Sequence, residues 1–360
     1  MKLKTFLIVG CLGGLFTLSS CTAPTNVKDY SAYVNPFIGT GGHGHTFPGA
    51  VVPHGMIQPS PDTRIDGWDA CSGYYYADST INGFSHTHVS GTGCCDYGDV
   101  LLMPTVGKQQ YRTTDPQSQR LAYASSFSHK NEIAEPGYYS VFLDTYQVKA
   151  EISSTKRGAI HRYTFPENAE SGFIIDLDYS LQRQTNSEME IEVISDTEIC
   201  GHKKTTYWAF DQYINFYAKF PKPFSYTLVT DSITMDNGKR LPVCKALLHF
   251  NTSKDEQVLV KVGVSAVDIA GARKNVESEI PGWDFEKVRK DARTAWNEYL
   301  SKIDITTSDK EDKAIFYTAL YHTGISPNLF TDADGRYLGM DLEVHQGDTL
   351  NPIYTVFSLW

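Results

Sequence analysis

The chain has 360 residues, 12% of them aromatic, and a formal net charge of −10 at pH 7. Because no basic cluster interrupts this acidic balance, a nucleic-acid partner is excluded from the interpretation. A chain of this length exceeds one ordinary hydrophobic core, so two domains are predicted.

The first 20 residues are predicted to be a signal peptide. MKLK is positively charged, and the apolar run at 6–20 that follows is too short to span a bilayer. The residues before Cys21 are similar to a bacterial lipoprotein box, which implies cleavage there and a lipid on the cysteine sulfur. An ordinary signal peptide beside a chance cysteine is the alternative. Residues 21–29 would form a tether, so we expect secretion across the inner membrane and a lipoprotein of the periplasm or outer membrane, attached only through its lipid.

Residues 35–55, NPFIGTGGHGHTFPGAVVPHG, combine many glycines with three histidines, and we call this segment the opening loop. Glycines such as Gly41 and Gly42 permit positive φ angles and let a ligand approach the backbone. The segment has neither the lysine of a P-loop nor the G-x-G-x-x-G spacing ahead of a helix, so a nucleotide site is rejected. Its imidazoles, including that of His43, remain candidates for binding hydroxyl groups or a metal.

Trp68 and Asp69 are adjacent in the stretch GWDACSGYYY. An indole face next to a carboxylate suits a sugar, because C–H groups stack on the ring while the carboxylate accepts hydrogen bonds from hydroxyls. The alternative is a core tryptophan followed by an aspartate in a turn.

His43 and His45 form one H-x-H pair, and His86 and His88 form a second, in NGFSHTHVSGTG. Residues two apart in a strand point to the same side. Three interpretations stay open: recognition of sugar hydroxyls, a zinc site, and histidines buried as structural donors and acceptors. A zinc hydrolase of the amidohydrolase type is disfavoured, because its barrel alternates strands with helices and no such alternation is visible.

From about residue 28 to 270 the sequence is strand-like. Short β-branched and aromatic runs are separated by turn signals such as NTSKDE, with no helical pattern between them. The absence of alternating helices disfavours a parallel sheet and favours a large antiparallel β-sandwich over residues 30–275. The runs are YYSVFLDTYQVKAEI, AIHRYTF, GFIIDLDY, YINFYAKF, KALLHF and QVLVKVGVSAV.

After residue 280 the pattern becomes helical. Asp284 is a candidate N-cap for a helix whose apolar face is predicted to comprise Phe285, Val288, Ala292, Ala295, Tyr299 and Ile303. Ser308-Asp309-Lys310-Glu311 reads as a capping box. It would open a second helix, ended by Gly324, that carries Ile315, Phe316, Ala319, Leu320 and Thr323.

Residues 276–360 are therefore predicted to be a linker and the start of a helical domain. Asp332, Asp334 and Asp341 look like candidate ligands, but DADG equally predicts a polar turn, which we prefer. The sequence stops inside the apolar run YTVFSLW, from which we expect a truncated domain.

Several long motifs together resemble glycoside hydrolase family 92, a family of calcium-dependent, exo-acting α-mannosidases. The resemblance covers residues 30–360. The motifs that carry it are NPFIGTGGHGHTFPGAVVPHGMIQPSPDT, GFSHTHVSGTGCCDYGD, AEPGYYSV, ALYHTGISPNLFTDADGRYLGMD and YTVFSLW.

The resemblance implies a mainly β chain: a large antiparallel β-sandwich followed by the first helices of an incomplete (α/α)6 barrel. It places the pocket for the terminal mannose between the two domains, with sandwich loops completing it. Trp68 would pack in the mannose subsite, and Phe37, His86 and His88 are the weaker candidates for contact or support. The implied contacts are, in chain order, Phe37, Gly41, Gly42, His43, Trp68, His86 and His88.

The resemblance also implies a mannose-containing glycan as partner, calcium as cofactor, and inversion by a general acid and a general base. In the family these carboxylates and most calcium ligands follow the SLW motif. We therefore expect them beyond Trp360, assign no metal ligand, and expect this chain alone to be inactive.

A noncatalytic glycan-binding lipoprotein is the alternative function.

Overall fold

The computed structural model describes residues 28–112, 118–183, 185–234 and 240–355. The predicted signal peptide, Cys21 and its lipid, most of the tether, and Trp360 therefore lie outside the described residues, and those predictions stay as they are.

Strands dominate the described residues. In chain order they are β1 Ser60–Asp62, β2 Thr80–Ile81, β3 Gly83–Ser85, β4 Leu101–Val106, β5 Ser125–Glu135, β6 Tyr138–Leu143, β7 Val148–Ser154, β8 Gly158–Phe165, β9 Asn168–Asp176, β10 Thr185–Ser195, β11 Glu198–Thr206, β12 Gln212–Lys219, β13 Ser225–Thr234, β14 Arg240–Thr252, β15 Glu256–Ser265, β16 Asn328–Leu329, β17 Arg336–Leu338, β18 Val344–Gln346 and β19 Tyr354–Thr355.

Two large sheets form the sandwich, and the predicted antiparallel architecture is confirmed. Among the described residues, one sheet has six strands in the order β1-β3-β4-β9-β14-β13, and the other has nine in the order β10-β11-β12-β15-β8-β7-β6-β5-β2. Every pairing within them is antiparallel, as between β7 and β8, where Ile152 is opposite His161. Two-stranded sheets β16-β19 and β17-β18 follow the helices.

The pleat explains how the apolar runs fill the space between the sheets. In β15, alternate residues share one face, and these are Val258, Val260, Val262 and Val264, all buried. Each fully buried side chain of this size contributes about 1.5–3 kcal/mol from removal of apolar surface from water. The same core cluster takes aromatic residues from the facing sheet, such as Phe173 of β9.

Three helices follow β15 within the described part of the chain: α1 Ile269–Glu279, α2 Phe285–Leu300 and α3 Lys310–Thr323. The sequence analysis missed α1, which begins after Asp268, whose side chain accepts a hydrogen bond from the Gly271 N–H. This helix packs on the outside of the sandwich in an apolar cluster with Ile160 and Tyr217. It also crosses the predicted domain boundary at residue 275, which remains a prediction.

The cap predicted for α2 is confirmed, because Asp284 accepts a hydrogen bond from the Lys287 N–H. Its apolar face is rotated from the prediction in the second half of the helix. Trp296 and Leu300 are buried there, whereas Ile303 lies beyond the helix and is exposed. Spacings of three and four permit either set, and packing of the large indole against the sandwich loops selects the observed one.

The start of α3 differs from the prediction by one residue. Asp309, not Ser308, is the N-cap, and its carboxylate accepts hydrogen bonds from the N–H groups of Glu311 and Asp312. The buried side chains of α3 are Tyr317, Thr318 and Tyr321. Ile315, one of the residues named for this helix, is 52% exposed.

The opening loop lies between the sandwich and these helices. The indole Nε1–H of Trp296 donates to the Val51 carbonyl oxygen at 2.6 Å. The backbone N–H of Asn35 donates to Thr318 Oγ1 at 2.9 Å. An apolar cluster joins Phe47 and Val51 of the loop to α2 and α3. The helices therefore hold the loop at the junction between the two parts of the chain.

Within the described ranges, none of the helices combines the length and the apolar character needed to cross a membrane.

Candidate functional site

Glycines determine the shape of the opening loop. Gly39 has a φ of +88°, and its carbonyl oxygen accepts a hydrogen bond from the Thr46 N–H at 3.2 Å. A Cβ atom on Gly44 would lie 2.1 Å from that carbonyl oxygen, so the close approach of the two backbones requires glycine there. Gly41 and Gly42 form the exposed tip, and a Cβ on Gly42 would meet no atom within 4 Å.

The tip brings two imidazoles to one carboxylate, and we call His43, His45 and Asp69 the His–Asp cluster. His43 Nδ1 lies 2.7 Å from Asp69 Oδ1, and His45 Nε2 lies 4.0 Å from the same oxygen. The side chain of His43 is 74% exposed and that of His45 only 5%. Burial lowers the pKa of His45, while the nearby Asp69 charge opposes this effect.

Trp68 stands beside this cluster at the surface. Its side chain is 60% exposed, so the alternative of a core tryptophan is wrong. Its ring system and the His45 ring meet edge to face, with centroids 4.9 Å apart and planes at 82°. A Cβ on Gly93 would lie 2.3 Å from Trp68 Cη2, so this glycine leaves the space in which the indole rests. Nothing in the sequence around Gly93 indicated that role.

Phe37 is half-buried and belongs to the apolar support of the loop. Its ring lies 5.6 Å from that of Tyr76 and 6.4 Å from that of Tyr74. It is part of the same apolar cluster as Trp296. The structure thus gives Phe37 a supporting position between the loop and the helices.

His86 and His88 lie in the interior, so of the two roles expected for them, contact with a ligand and support, their position favours support. Both are essentially inaccessible to solvent. His88 Nδ1 lies 2.7 Å from the Gln58 carbonyl oxygen, and its Nε2 lies 3.0 Å from Asp62 Oδ1. Because protein atoms engage both ring nitrogens, the structural interpretation applies to this pair.

The hydrogen bonds of His86 form a chain that two neutral rings can satisfy. His86 Nδ1–H donates to the Val100 carbonyl oxygen at 2.7 Å. Its Nε2 then accepts from His161 Nε2–H at 3.1 Å, and His161 Nδ1 accepts from the Tyr163 hydroxyl at 2.9 Å. Burial lowers the pKa of His86 to about 4 and that of His161 well below its usual range.

Acid is therefore expected to destabilise the fold through this chain. The unfolded chain takes up protons near the ordinary histidine pKa of about 6.5, whereas folded His86 does so only near pH 4. The unfolded state binds more protons between these values, so stability decreases as the pH falls through that window, by up to about 3 kcal/mol from His86. Urea unfolding at stepped pH tests this: His86→Asn, which keeps a donor toward Val100, should lose less stability over the window than the wild type. An unchanged slope would contradict the assignment.

The carboxylates of Asp332, Asp334 and Asp341 are all bonded to other protein groups, as the polar-turn interpretation expects. The Asp332 carboxylate is buried and accepts hydrogen bonds from Ser265 Oγ at 2.6 Å and Asn275 Nδ2 at 2.7 Å. The Asp332 carbonyl closes the turn by accepting from the Gly335 N–H at 2.9 Å. Asp334 pairs with Arg336, and Asp341 with His345.

The candidate residues lie on an exposed surface and not inside a cavity. Two concavities of about 430 and 70 Å³ lie elsewhere on the described surface, and neither includes the His–Asp cluster or Trp68. The exposed indole, imidazole and glycine tip can stack on a sugar ring and exchange hydrogen bonds with its hydroxyls. A second wall is needed to enclose such a ligand.

Comparison with known protein families gives two adjoining matches. The model described as glycosyl hydrolase family 92 N-terminal domain matches residues 33–265, and the one described as glycosyl hydrolase family 92 catalytic domain matches residues 271–360. A curated relative, an uncharacterized secreted glycosidase from Arthroderma benhamiae, is 30% identical over 362 aligned residues, which cover 89% of this chain and 46% of the relative.

Solved structures agree with these matches. The family GH92 alpha-mannosidase BT3965 from Bacteroides thetaiotaomicron is 35% identical, with a TM-score of 0.84 over 92% of this chain and 46% of that one. The same protein has also been solved with mannoimidazole. The family GH92 inverting mannosidase BT2199 from that bacterium is 26% identical, with a TM-score of 0.77 over 92% of this chain and 44% of that one. The chain thus spans about half the length of the relatives it matches.

Proposed function

The chain belongs to glycosyl hydrolase family 92, and we propose that it supplies the sandwich wall of the mannose pocket in a secreted, inverting exo-α-mannosidase. The whole protein would release terminal α-mannose from mannose-rich glycans. The names of the structural relatives support the α-mannoside and the inverting stereochemistry.

One observation carries the proposal: Trp68 is exposed beside polar groups of the opening loop, and other residues of the same loop contact the helices. Its indole gives a face for the C–H groups of a sugar, while His43 and Asp69 offer hydrogen bonds to hydroxyls. Gly41 and Gly42 let the sugar approach the backbone of the tip. Phe37 supports the loop from behind.

Hydrolysis with inversion needs a general acid and a general base whose carboxyl groups stand about 6.5–9.5 Å apart, leaving room for a water molecule. Asp69 is engaged by His43 and is a single carboxylate. We place the acid and the base in the further length that the relatives have. This chain then orients the terminal sugar and helps to exclude water around it.

Calcium, the expected cofactor, prefers six to eight oxygen ligands. The His–Asp cluster offers two nitrogens and a carboxylate, so it does not fit calcium. Calcium therefore has no part in the role proposed for this cluster. A lipid on Cys21 would place the enzyme at a membrane surface, and the description of the fungal relative as secreted supports export.

The proposal is tested with two preparations. The purified 360-residue chain should bind methyl α-mannoside but release no mannose from an α-linked mannobiose, with or without a calcium chelator. The native protein isolated from its source cells should release mannose, with the β anomer appearing first in proton NMR. Turnover by the 360-residue chain would contradict the placement of the acid and base. Binding without turnover in the native protein would favour the noncatalytic glycan-binding lipoprotein.

Gly93→Ala is expected to weaken mannoside binding although the residue itself presents no recognition group. The added methyl would overlap Trp68 Cη2 and displace the indole, while stability should change by less than about 1 kcal/mol, because the indole is mostly exposed. Gly282→Ala is the matched control, since a Cβ there meets no atom within 4 Å. Equal binding by the two variants, measured by ligand-observed NMR, would contradict the role given to Trp68.

A further inference from the structure

We propose that His43, His45 and Asp69 form a site for a divalent transition-metal cation of the zinc type, on the opening loop beside Trp68. One ligand atom from each residue lies within 4.8 Å of the others, the one such group among the residues that the structure describes. The inference does not depend on the proposed mannosidase function.

The geometry suits three protein ligands around a small cation. Ligand atoms bound to zinc at about 2.0–2.2 Å are separated by roughly 3.3–3.6 Å in a tetrahedral site. In the structure, His43 Nδ1 lies 2.7 Å and His45 Nε2 lies 4.0 Å from Asp69 Oδ1. These two separations need to change by about 1 Å or less to reach the tetrahedral values, and the third pair of ligand atoms lies within 4.8 Å. The side chain of His43 is free to move because it is 74% exposed.

An independent observation points to a ligand. His45 Nε2 is buried and has no hydrogen-bond partner among the described residues, in a side chain that is only 5% exposed. It faces the Asp69 carboxylate. A buried polar nitrogen without a partner costs about 1–3 kcal/mol. A cation between it and Asp69 would satisfy the nitrogen.

The backbone presents this imidazole in a fixed position. His45 has a φ of +55°, in the left-handed region that few residues other than glycine adopt. Its carbonyl oxygen accepts a hydrogen bond from the Gly91 N–H at 2.7 Å, and its ring packs edge to face with that of Trp68.

The ligand types select the class of cation. Two imidazoles and one carboxylate resemble the His₂-carboxylate sets that hold catalytic zinc, whereas calcium and magnesium prefer oxygen ligands. Because the His43 side of the cluster faces solvent, the fourth position would be open to water or to a sugar hydroxyl. A bound cation would also tie the glycine tip to the Trp68–Asp69 segment.

Cobalt(II) tests the site by its spectrum, because tetrahedral cobalt absorbs strongly in the visible region. The tag-free 360-residue chain should bind one equivalent, which zinc displaces and excess calcium does not. His43→Ala and Asp69→Asn should each weaken binding at least tenfold. Far-UV circular dichroism should stay unchanged, since the first replaces an exposed side chain and the second keeps its size.

His345→Ala is the matched control. His345 and Asp341 form another exposed imidazole–carboxylate pair, with atoms 2.9 Å apart, but they have no third ligand within the searched groups of described residues. The control should bind cobalt as the wild type does. Absence of visible bands, sulfur-to-cobalt charge-transfer bands that indicate cysteine ligation, displacement by calcium, or unchanged affinity in His43→Ala and Asp69→Asn would each overturn the proposal.

Discussion

Trp68→Ala is expected to weaken binding of an α-mannoside by about tenfold or more, in line with the loss of an aromatic anchor at a binding surface. The free energy of unfolding should stay within about 0.5 kcal/mol of the wild type, because the side chain is 60% exposed. Titration of methyl α-mannoside followed by ligand-observed NMR measures the first quantity, and urea unfolding measures the second.

Trp283→Ala is the control for this substitution. Trp283 lies in the link between α1 and α2, where Lys261 Nζ sits 4.3 Å from the centre of its ring system. Its loss should leave mannoside binding unchanged. Equal losses of binding in the two variants would show a general effect of removing an indole and would remove Trp68 from the pocket.

Trp296→Ala should destabilise the fold by about 3–5 kcal/mol, the range for truncating a large buried aromatic side chain. The indole is completely buried and packs on Tyr321 with ring centroids 4.3 Å apart. The substitution also leaves the Val51 carbonyl oxygen without its 2.6 Å hydrogen bond. Because Val51 belongs to the opening loop, the loss should also loosen the site.

Trp296→Phe separates the contribution of the buried ring from that of the indole hydrogen bond to Val51. It keeps a large ring but removes the indole N–H, so the expected loss is about 1–3 kcal/mol, mainly from the unsatisfied carbonyl. Hydrogen exchange should show faster exchange in the opening loop for both variants than for the wild type. Destabilisation without any change in the loop would contradict the view that α2 positions it.

The sandwich was predictable because its strands carry their own signal. Runs such as AIHRYTF combine β-branched and aromatic residues with turn signals at their ends, and this run corresponds to β8. The helix α1 was missed because its 11 residues follow a strand directly and contain several polar residues within a short apolar pattern. The rotated face of α2 shows that spacing alone permits two apolar faces, and contact with Val51 decides between them.

The candidate site was predictable in its parts but not in its assembly. The sequence places His43 beside His45, and Trp68 beside Asp69, but no spacing rule joins positions 26 residues apart. The second H-x-H pair looked equivalent to the first. The difference is burial: His86 lies between Val100 and His161 in the core, whereas His43 lies on an exposed glycine tip. Burial of a polar residue depends on tertiary packing, which a short motif does not encode.

The most direct test of the central claim is an NMR titration of the five tryptophan indole signals with methyl α-mannoside, assigned by single substitutions. If the opening loop and Trp68 form the sugar-binding wall, the Trp68 signal should shift with saturation, while the signals of the buried Trp296 and of Trp283, in the link between α1 and α2, should stay in place. A Trp68 signal that stays unchanged while the sugar demonstrably binds elsewhere on the chain would contradict the account.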